Sequence, residues 1–330
     1  MGIIINNSGS GTVPDGSITT AKIADGAVTP AKLSVAIQLN NPNYFKNPAF
    51  AVIQGAGSSG TLTNSLTLPT ASLGYPSETE WCIAASGGTP TYAFSTANQT
   101  LTLGGAASTT AIHVLQRIES IDAIRLRSKQ VTLSVELSNS QLSTVTWEFF
   151  RPSTTVDAHG TIASPTQTVV ASGTWTVNST LTRYSATVTL PAEVSNGLEV
   201  RLRVGAQTSG TWVIARPKLE EGSTATAFVC DDYAVELQKC QRYFYTLNNL
   251  VQSFVWYGEL GARGHSPIIN FPVEMFQAPI RLNTYWIGGE NAYVMVDYTT
   301  KQGYFTQIGN VNSGGAGANL SLGSFAAHIP

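Results

Sequence analysis

Apolar and polar residues alternate with a period of two along much of the middle of the chain. Leu198-Glu-Val-Arg-Leu-Arg-Val204 is the clearest case: Leu198, Val200, Leu202 and Val204 face one way, Glu199, Arg201 and Arg203 the other. Val131-Thr-Leu-Ser-Val-Glu-Leu137 and Tyr184-Ser-Ala-Thr-Val-Thr-Leu190 follow the same rule. Such alternation marks strands with one dry and one wet face. Between residues 41 and 228 these segments are separated by Gly, Ser, Thr, Asn and Pro. The pattern therefore predicts many short strands packed as a β-sandwich. His113–Arg127 is Ile-rich and fits either a helix or a strand, a turn and a second strand. After Tyr243 aromatic residues are dense and charges sparse, which predicts a smaller, compact β domain over 229–330.

The first 40 residues differ from the rest. Residues 15–24 read D-G-S-I-T-T-A-K-I-A and residues 25–34 read D-G-A-V-T-P-A-K-L-S, a tandem repeat. Thr19 and Thr29 stand where helix N-caps would, and Pro30 falls at a first helical position. Ile18, Ile23, Val28 and Leu33 recur every five residues, a spacing unlike heptads. Units this small cannot bury those side chains alone. Ile18, Ile23, Val28 and Leu33 are therefore expected to be trimer contacts, covered by other copies of the chain.

The repeat resembles the D-G-x-I-T-x-A-K-I-A units of bacteriophage fibre proteins, which lie near the virion-attachment end. Three further stretches, Q-R-I-E-S (116–120), L-R-S-K-Q-V-T-L-S-V-E-L (126–137) and T-R-Y-S-A-T-V-T-L-P (182–191), resemble carbohydrate-binding-module-like jelly rolls of phage tail fibres. A-R-P-K-L-E-E-G-S-T-A-T-A-F (215–228) looks like the last strand and exit of that module, with Ala227 where the family usually has Pro. Y-A-V-E-L-Q-K-C-Q-R-Y-F-Y (233–245) resembles the family's short helix leading into a terminal domain. On such a helix Val235 and Leu237 or Cys240 would share the buried face, with Glu236, Gln238 and Lys239 turned outward.

The resemblance implies an all-β homotrimeric fibre in three parts. A virion-attachment leader (1–40) precedes a jelly-roll β-sandwich (41–228) and a C-terminal β tip domain (229–330). It implies a virion protein, a tail fibre that binds a host surface polysaccharide, with the leader held by another virion protein of the tail or baseplate. The alternative is a structural fibre or decoration protein on the capsid or baseplate with no receptor role.

Charge narrows the function classes. Lys and Arg total 18 and Asp and Glu total 20, for a net charge of −2, and no basic run is present. That argues against a nucleic-acid binder that neutralises many phosphates. No stretch approaches the roughly 18 apolar residues of a membrane span, so no membrane insertion is expected. Cys82, Cys230 and Cys240 are odd in number and lack a C-x-x-C, which argues against a disulfide framework or a zinc site. Free, mostly buried thiols are expected; a Cys230–Cys240 bridge is a matter of geometry.

Motifs for catalysis are sparse. Gly55-Ala-Gly-Ser-Ser-Gly60 is a literal G-x-G-x-x-G, but T-L-T-N-S-L-T-L-P follows it rather than a helix, so it reads as a glycine-rich turn. His113, His159, His265 and His328 are scattered, so no metal site or cofactor is expected. A glycosidase needs two suitably placed carboxylates. Glu78 and Glu80 would share a face if their stretch were a strand; Asp231 and Asp232 would not and read as a solvated edge. The chain is expected to be a non-enzyme. For a glycan, the candidate contacts are Tyr285, Trp286 and Tyr304, whose Gly and polar neighbours suggest loops. Trp256, inside V-Q-S-F-V-W-Y, reads as core.

Overall fold

The computed structural model describes residues 41–328 except 56, 63–64, 70–73, 257–262, 266–268, 282–283, 288–291 and 311–315; over 247–269, 280–298 and 304–324 it describes the backbone only. The leader, with Ile18, Ile23, Val28 and Leu33, lies outside the described residues.

The protein is an antiparallel β-sandwich followed by further antiparallel sheets. The sandwich strands are β1 (Ser59–Thr61), β2 (Cys82–Ser86), β3 (Thr91–Ser95), β4 (Thr100–Gly104), β5 (Ala111–Ile118) and β6 (Gln130–Asn139). They continue as β7 (Thr144–Pro152), β8 (Gln167–Thr176), β9 (Thr182–Thr189), β10 (Leu198–Val204) and β11 (Thr211–Glu221). One sheet has the order β1-β3-β4-β11-β6-β9, the other β2-β5-β10-β7-β8. Their inner faces meet in a core that includes Trp81, Leu101, Val114, Leu133, Phe149, Leu202 and Trp212. The ambiguous 113–127 segment resolves into the end of β5, a single turn of helix, α1 (Ser120–Ala123), and a 3₁₀ turn (Ile124–Leu126).

The alternation read along β10 sets its inner face: Leu198, Val200, Leu202 and Val204 are all buried in the core. The outer face departs from expectation. Glu199 is fully buried and Arg201 nearly so, and only Arg203 is half-exposed. The 153–166 connection folds over them. Arg117 on the neighbouring β5 donates to the carbonyl of Gly160 at 2.6 Å and to Glu199 at 2.9 Å. Gln167 donates to Glu199 at 3.3 Å, and Arg201 donates to the same carboxylate. A polar face reads as wet only until a loop with matching groups covers it.

The A-R-P-K-L-E-E-G-S-T-A-T-A-F stretch has a physical reason for its composition. It forms the sandwich's last strand, β11, which carries a bulge between Ala215 and Lys218 with Arg216 left-handed (φ +47°). The bulge lets buried Lys218 pair with buried Glu220 at 3.2 Å. Glu220 then accepts from the backbone and hydroxyl of Thr226 at 2.8 and 2.6 Å, folding the exit back onto the strand.

Next comes α2 (Tyr233–Gln241), N-capped by Asp232, whose carboxylate accepts from the Ala234 amide at 2.9 Å. Its orientation differs from the expected one. Val235 is exposed, while Glu236 and Cys240 are buried. Glu236 turns inward because it accepts from the Asn47 amide at 2.6 Å and pairs with Lys239 at 2.6 Å, so a satisfied carboxylate displaces a valine. The remaining strands are β12 (Phe244–Trp256), β13 (Arg263–His265), β14 (Ile269–Asn270), β15 (Ile280–Arg281), β16 (Thr284–Ile287), β17 (Ala292–Thr299), β18 (Gly303–Asn310) and β19 (Ala316–Ala326). β12, β15 and β16 pair with β19, and β13, β14 and β17 pair with β18. No strand of this group pairs with a sandwich strand among the described residues.

Side chains tie the two groups together at the exit of α2. Glu119, at the end of β5, accepts from Arg242 Nε and Nη2, each at 2.7 Å, and from the Tyr243 hydroxyl. Burial alone would raise the Glu119 carboxyl, but these donors hold it below the ordinary value.

Candidate functional site

The connection between β1 and β2 gathers three left-handed non-glycine residues within four positions. It reads G-Y-P-S-E-T-E-W over 74–81. Pro76 opens a 3₁₀ turn, Pro76–Glu78, where its fixed φ suits the first position. Ser77, Glu78 and Glu80 are all left-handed, with φ of +57°, +51° and +68°. Each such residue stores on the order of 1–3 kcal/mol and persists only where its surroundings over-determine it. Here they do. The Gln54 and Gly55 amides both donate to the Ser77 carbonyl, at 3.2 and 3.1 Å. Asn47 donates to the Thr79 carbonyl at 2.9 Å, and the Thr79 hydroxyl to that of Pro76 at 3.1 Å. A Cβ on Gly55 would sit 2.9 Å from the Ser77 carbonyl carbon, so only glycine lets the two segments meet. The G-x-G-x-x-G thus serves this turn, and the chain continues into β1 rather than a helix.

A cavity of about 280 Å3 opens against the turn. Tyr75, Ser77, Glu78 and Pro76 form one wall; Thr61, Leu62, Ile83 and Tyr92 contribute to the rest. Ser77 Oγ is buried without a hydrogen-bond partner among the described residues, as is Gln54 Nε2 beside the turn. The cavity lining therefore combines two tyrosines, a serine and a carboxylate. That is the chemistry a sugar ring uses: an apolar C–H face against an aromatic ring, hydroxyls to fixed polar groups.

Behind the turn, Glu78 and Glu80 converge on His328, from the chain's far end. His328 Nε2 lies 3.1 Å from Glu78 and Nδ1 3.6 Å from Glu80. Its ring stacks on Tyr75 at 3.8 Å between centroids and 10° between planes. Burial alone would lower the imidazole pKa, but the two carboxylates outweigh it and raise it to about 9. Burial pushes the Glu80 carboxyl up, against the pull of His328 and Lys46. The stretch is a turn and not a strand, so the shared strand face does not arise; it is His328 that brings the two carboxylates together. Only Glu78 lines the large cavity; Glu80 lines a separate space of about 10 Å3 with Tyr75, Arg117, Tyr243 and His328.

The other candidates are dispersed. Tyr285 and Trp286 lie in β16, opposite Ser321 and Leu320 of β19, and Tyr304 lies in β18, opposite Ile269. All three occupy strands, not the expected loops; aromatic residues favour strands even beside glycine. Their side chains fall outside the described residues. Trp256 ends β12, as its strand-like context implied. The cysteines are free, so no Cys230–Cys240 bridge forms. Burial raises the Cys82 thiol to about 12 and pushes Cys240 up as well. Burial with the nearby Arg201 and Arg203 lowers His113 to about 3, so it stays neutral. Asp231 and Asp232 are exposed, the first paired with Lys239 and the second capping α2. Among the described residues no cluster of His, Cys, Asp and Glu is placed to hold a metal ion. Tyr75, Ser77 and Tyr92 were missed in the sequence. Only the Gly-Tyr-Pro-Ser run signals a turn there, and nothing in it signals a cavity.

A scan against protein-family models finds no match, and a search of the curated proteins finds none. Among solved structures the chain is similar to a CBM4 structure at 13% identity and a TM-score of 0.34, over 49% of this chain and 95% of that one. The N-terminal cellulose-binding domain of Cellulomonas fimi β-1,4-glucanase C gives 13% identity and a TM-score of 0.32, over 46% of this chain and 92% of that one. The enzymatically active domain of bacteriophage CBA120 tailspike protein 4 gives 14% and 0.31, over 47% of this chain and only 21% of that one. At these scores the sandwich architecture rests on the strand pairing described above, and no function follows from the likeness.

Proposed function

We propose that this chain is a non-catalytic phage fibre protein, a tail fibre that binds a neutral unit of a host surface glycan in the Tyr75–Tyr92 cavity. The observation that carries the binding reading is the cavity over a rigid turn, lined by Tyr75, Tyr92 and Glu78. A strained, over-determined turn walling a cavity is how folds pre-organise a binding site. The non-catalytic reading is supported by Glu78 being the one carboxylate of that cavity among the described residues: hydrolysis by a carboxylate pair needs both groups on the substrate. The virion reading rests on the tandem repeats of the leader. Three chains would bring three weak sites to one surface, and avidity would supply the affinity.

Tyr92→Phe tests the site cleanly, because the half-buried Tyr92 lines the cavity and its hydroxyl has no hydrogen bond among the described residues. Glycan affinity is expected to fall roughly tenfold, the worth of one hydrogen bond to a ligand, with melting temperature nearly unchanged. Unchanged binding on a glycan array would place recognition elsewhere, with Trp286→Ala the next variant to examine. Assembly is tested separately. Light scattering should give a mass about three times the 35.0 kDa chain. Removal of residues 1–34 should lower it; a monomer at micromolar concentration would end the trimer reading.

A further inference from the structure

Large apolar side chains that stay exposed gather where the chain enters the sandwich. Of the seven among the described residues, four stand on the elements that flank this entry. Ile121, 63% exposed, lies in α1, Ile124 in the 3₁₀ turn after it, and Tyr233 and Val235 in α2. A cleft places these elements beside residues 42–46: Asp122 and Arg125 line it from the first two, Asp231 and Lys239 from the start and body of α2. Val156 makes a fifth. It precedes Asp157, whose carboxylate accepts from the Ser120 amide and hydroxyl at 2.7 and 2.8 Å where α1 begins. The other two, Val169 and Leu181, belong to β8 and the link from β8 to β9.

We propose that a second copy of this chain covers that surface, so that α1 and α2 carry a contact between neighbouring sandwiches. The inference rests on the trimer reading above and names the face on which the trimer closes. Covalent reach selects the occupant. Leu33, the last apolar position of the tandem repeat, stands eight residues before Asn41, where the described sandwich begins. A fully extended chain spans at most about 3.5 Å per residue, so the entry lies within about 28 Å of Leu33. Chains that cover one another's Ile18, Ile23, Val28 and Leu33 therefore hold their entries, and the α1 and α2 surfaces around them, within reach of each other. Exposed apolar clusters mark interaction surfaces, and here the chain's own assembly supplies the partner. Ile121, Ile124, Val156 and Val235 are aliphatic, so the surface has little to stack on a sugar ring. Asp122 and Arg125 among them give it the mixed character of an interface between separately folded units.

Light scattering of the full chain over a dilution series tests the surface. Ile121→Lys combined with Val235→Lys puts charges at two exposed positions, which costs the single sandwich nothing but must be desolvated against a neighbour. The concentration at which the assembly half-dissociates should rise at least about tenfold. Val169→Lys combined with Leu181→Lys should leave it unchanged. The near-ultraviolet circular dichroism of buried Trp81 and Trp212 should match the native chain in both variants, which shows that each is folded. A native trimer that dissociates no more easily with Ile121→Lys and Val235→Lys overturns the inference and leaves the trimer standing; so does equal weakening by the Val169 and Leu181 pair. A native dimer weakened by the first pair alone refutes the trimer and keeps the surface. A native chain that stays monomeric up to about 100 μM refutes both.

Discussion

Replacing Glu199 by alanine should be among the most damaging single changes to the sandwich, at about 3–5 kcal/mol. The carboxylate is fully buried on the outer face of β10 and serves Arg117, Arg201 and Gln167 at once. Removing it takes the shared carboxylate from two buried guanidinium groups beneath the 153–166 connection, and loss of a buried counter-charge is what makes such changes severe. In melting temperature that is roughly 10 °C or more. The sign with pH follows from the same contacts. Burial would raise the Glu199 carboxyl, but Arg117 and Arg201 hold it at about 2 against an ordinary 4.5. Its contribution is therefore present above about pH 4.5 and is lost as pH falls through about 2. The gap between the native chain and Glu199→Ala should be constant near neutrality and close in acid. Substituting Arg117, Glu199 and Arg201 together with apolar residues should hurt less than the single change. Thermal melts across pH that show Glu199→Ala within about 1 kcal/mol of the native chain would refute the argument.

That same network shows where the sequence stops being legible. Period two fixed the inner faces of β6 and β10 without ambiguity, because a core demands apolar side chains on one side only. It could not say what covers the other side. Glu199 and Arg201 look like solvent-facing charges until Arg117, eighty-two positions away from Glu199, and the Gly160 carbonyl arrive beside them. Glu236 on α2 teaches the same lesson: its burial depends on the Asn47 amide, which no helical pattern contains. The 3₁₀ turn at Pro76 was obscured for another reason. Left-handed Ser and Glu residues break local preference and exist only because Gln54, Gly55 and Asn47 impose them. The spacing of Glu78 and Glu80 gives a shared face only on a strand; in the turn that forms instead they are joined by His328, some 250 positions away.

His328 should behave as a latch that fastens the last strand to the sandwich and opens in alkali. Its ring stacks on Tyr75 at 3.8 Å and lies parallel to Tyr243 at 6.5 Å, with Glu78 and Glu80 at its two nitrogens. One residue earlier, the Ala327 amide donates to the Tyr243 carbonyl at 2.7 Å. With its pKa raised from 6.5 to about 9, the imidazole is charged at neutral pH. A raised value means the contribution is complete below about pH 6.5 and is lost as pH rises through about 9. The shift corresponds to about 3 kcal/mol at most, or roughly a hundredfold in local opening. Lys46 also acts on Glu80, but it does not touch the ring and cannot replace it. In His328→Ala, Glu80 loses its main counter-charge, so burial should push its carboxyl up further. Hydrogen exchange corrected for intrinsic rates should therefore show Ala327 protected at pH 7 and opened at pH 10 in the native chain. In His328→Ala it should be open at both. Because Glu78 lines the large cavity, the latch also bears on binding: glycan affinity should fall along with Ala327 protection as the imidazole loses its proton. Protection of Ala327 that stays flat from pH 7 to pH 10 would show that packing against Tyr75, not charge, holds the end of the chain.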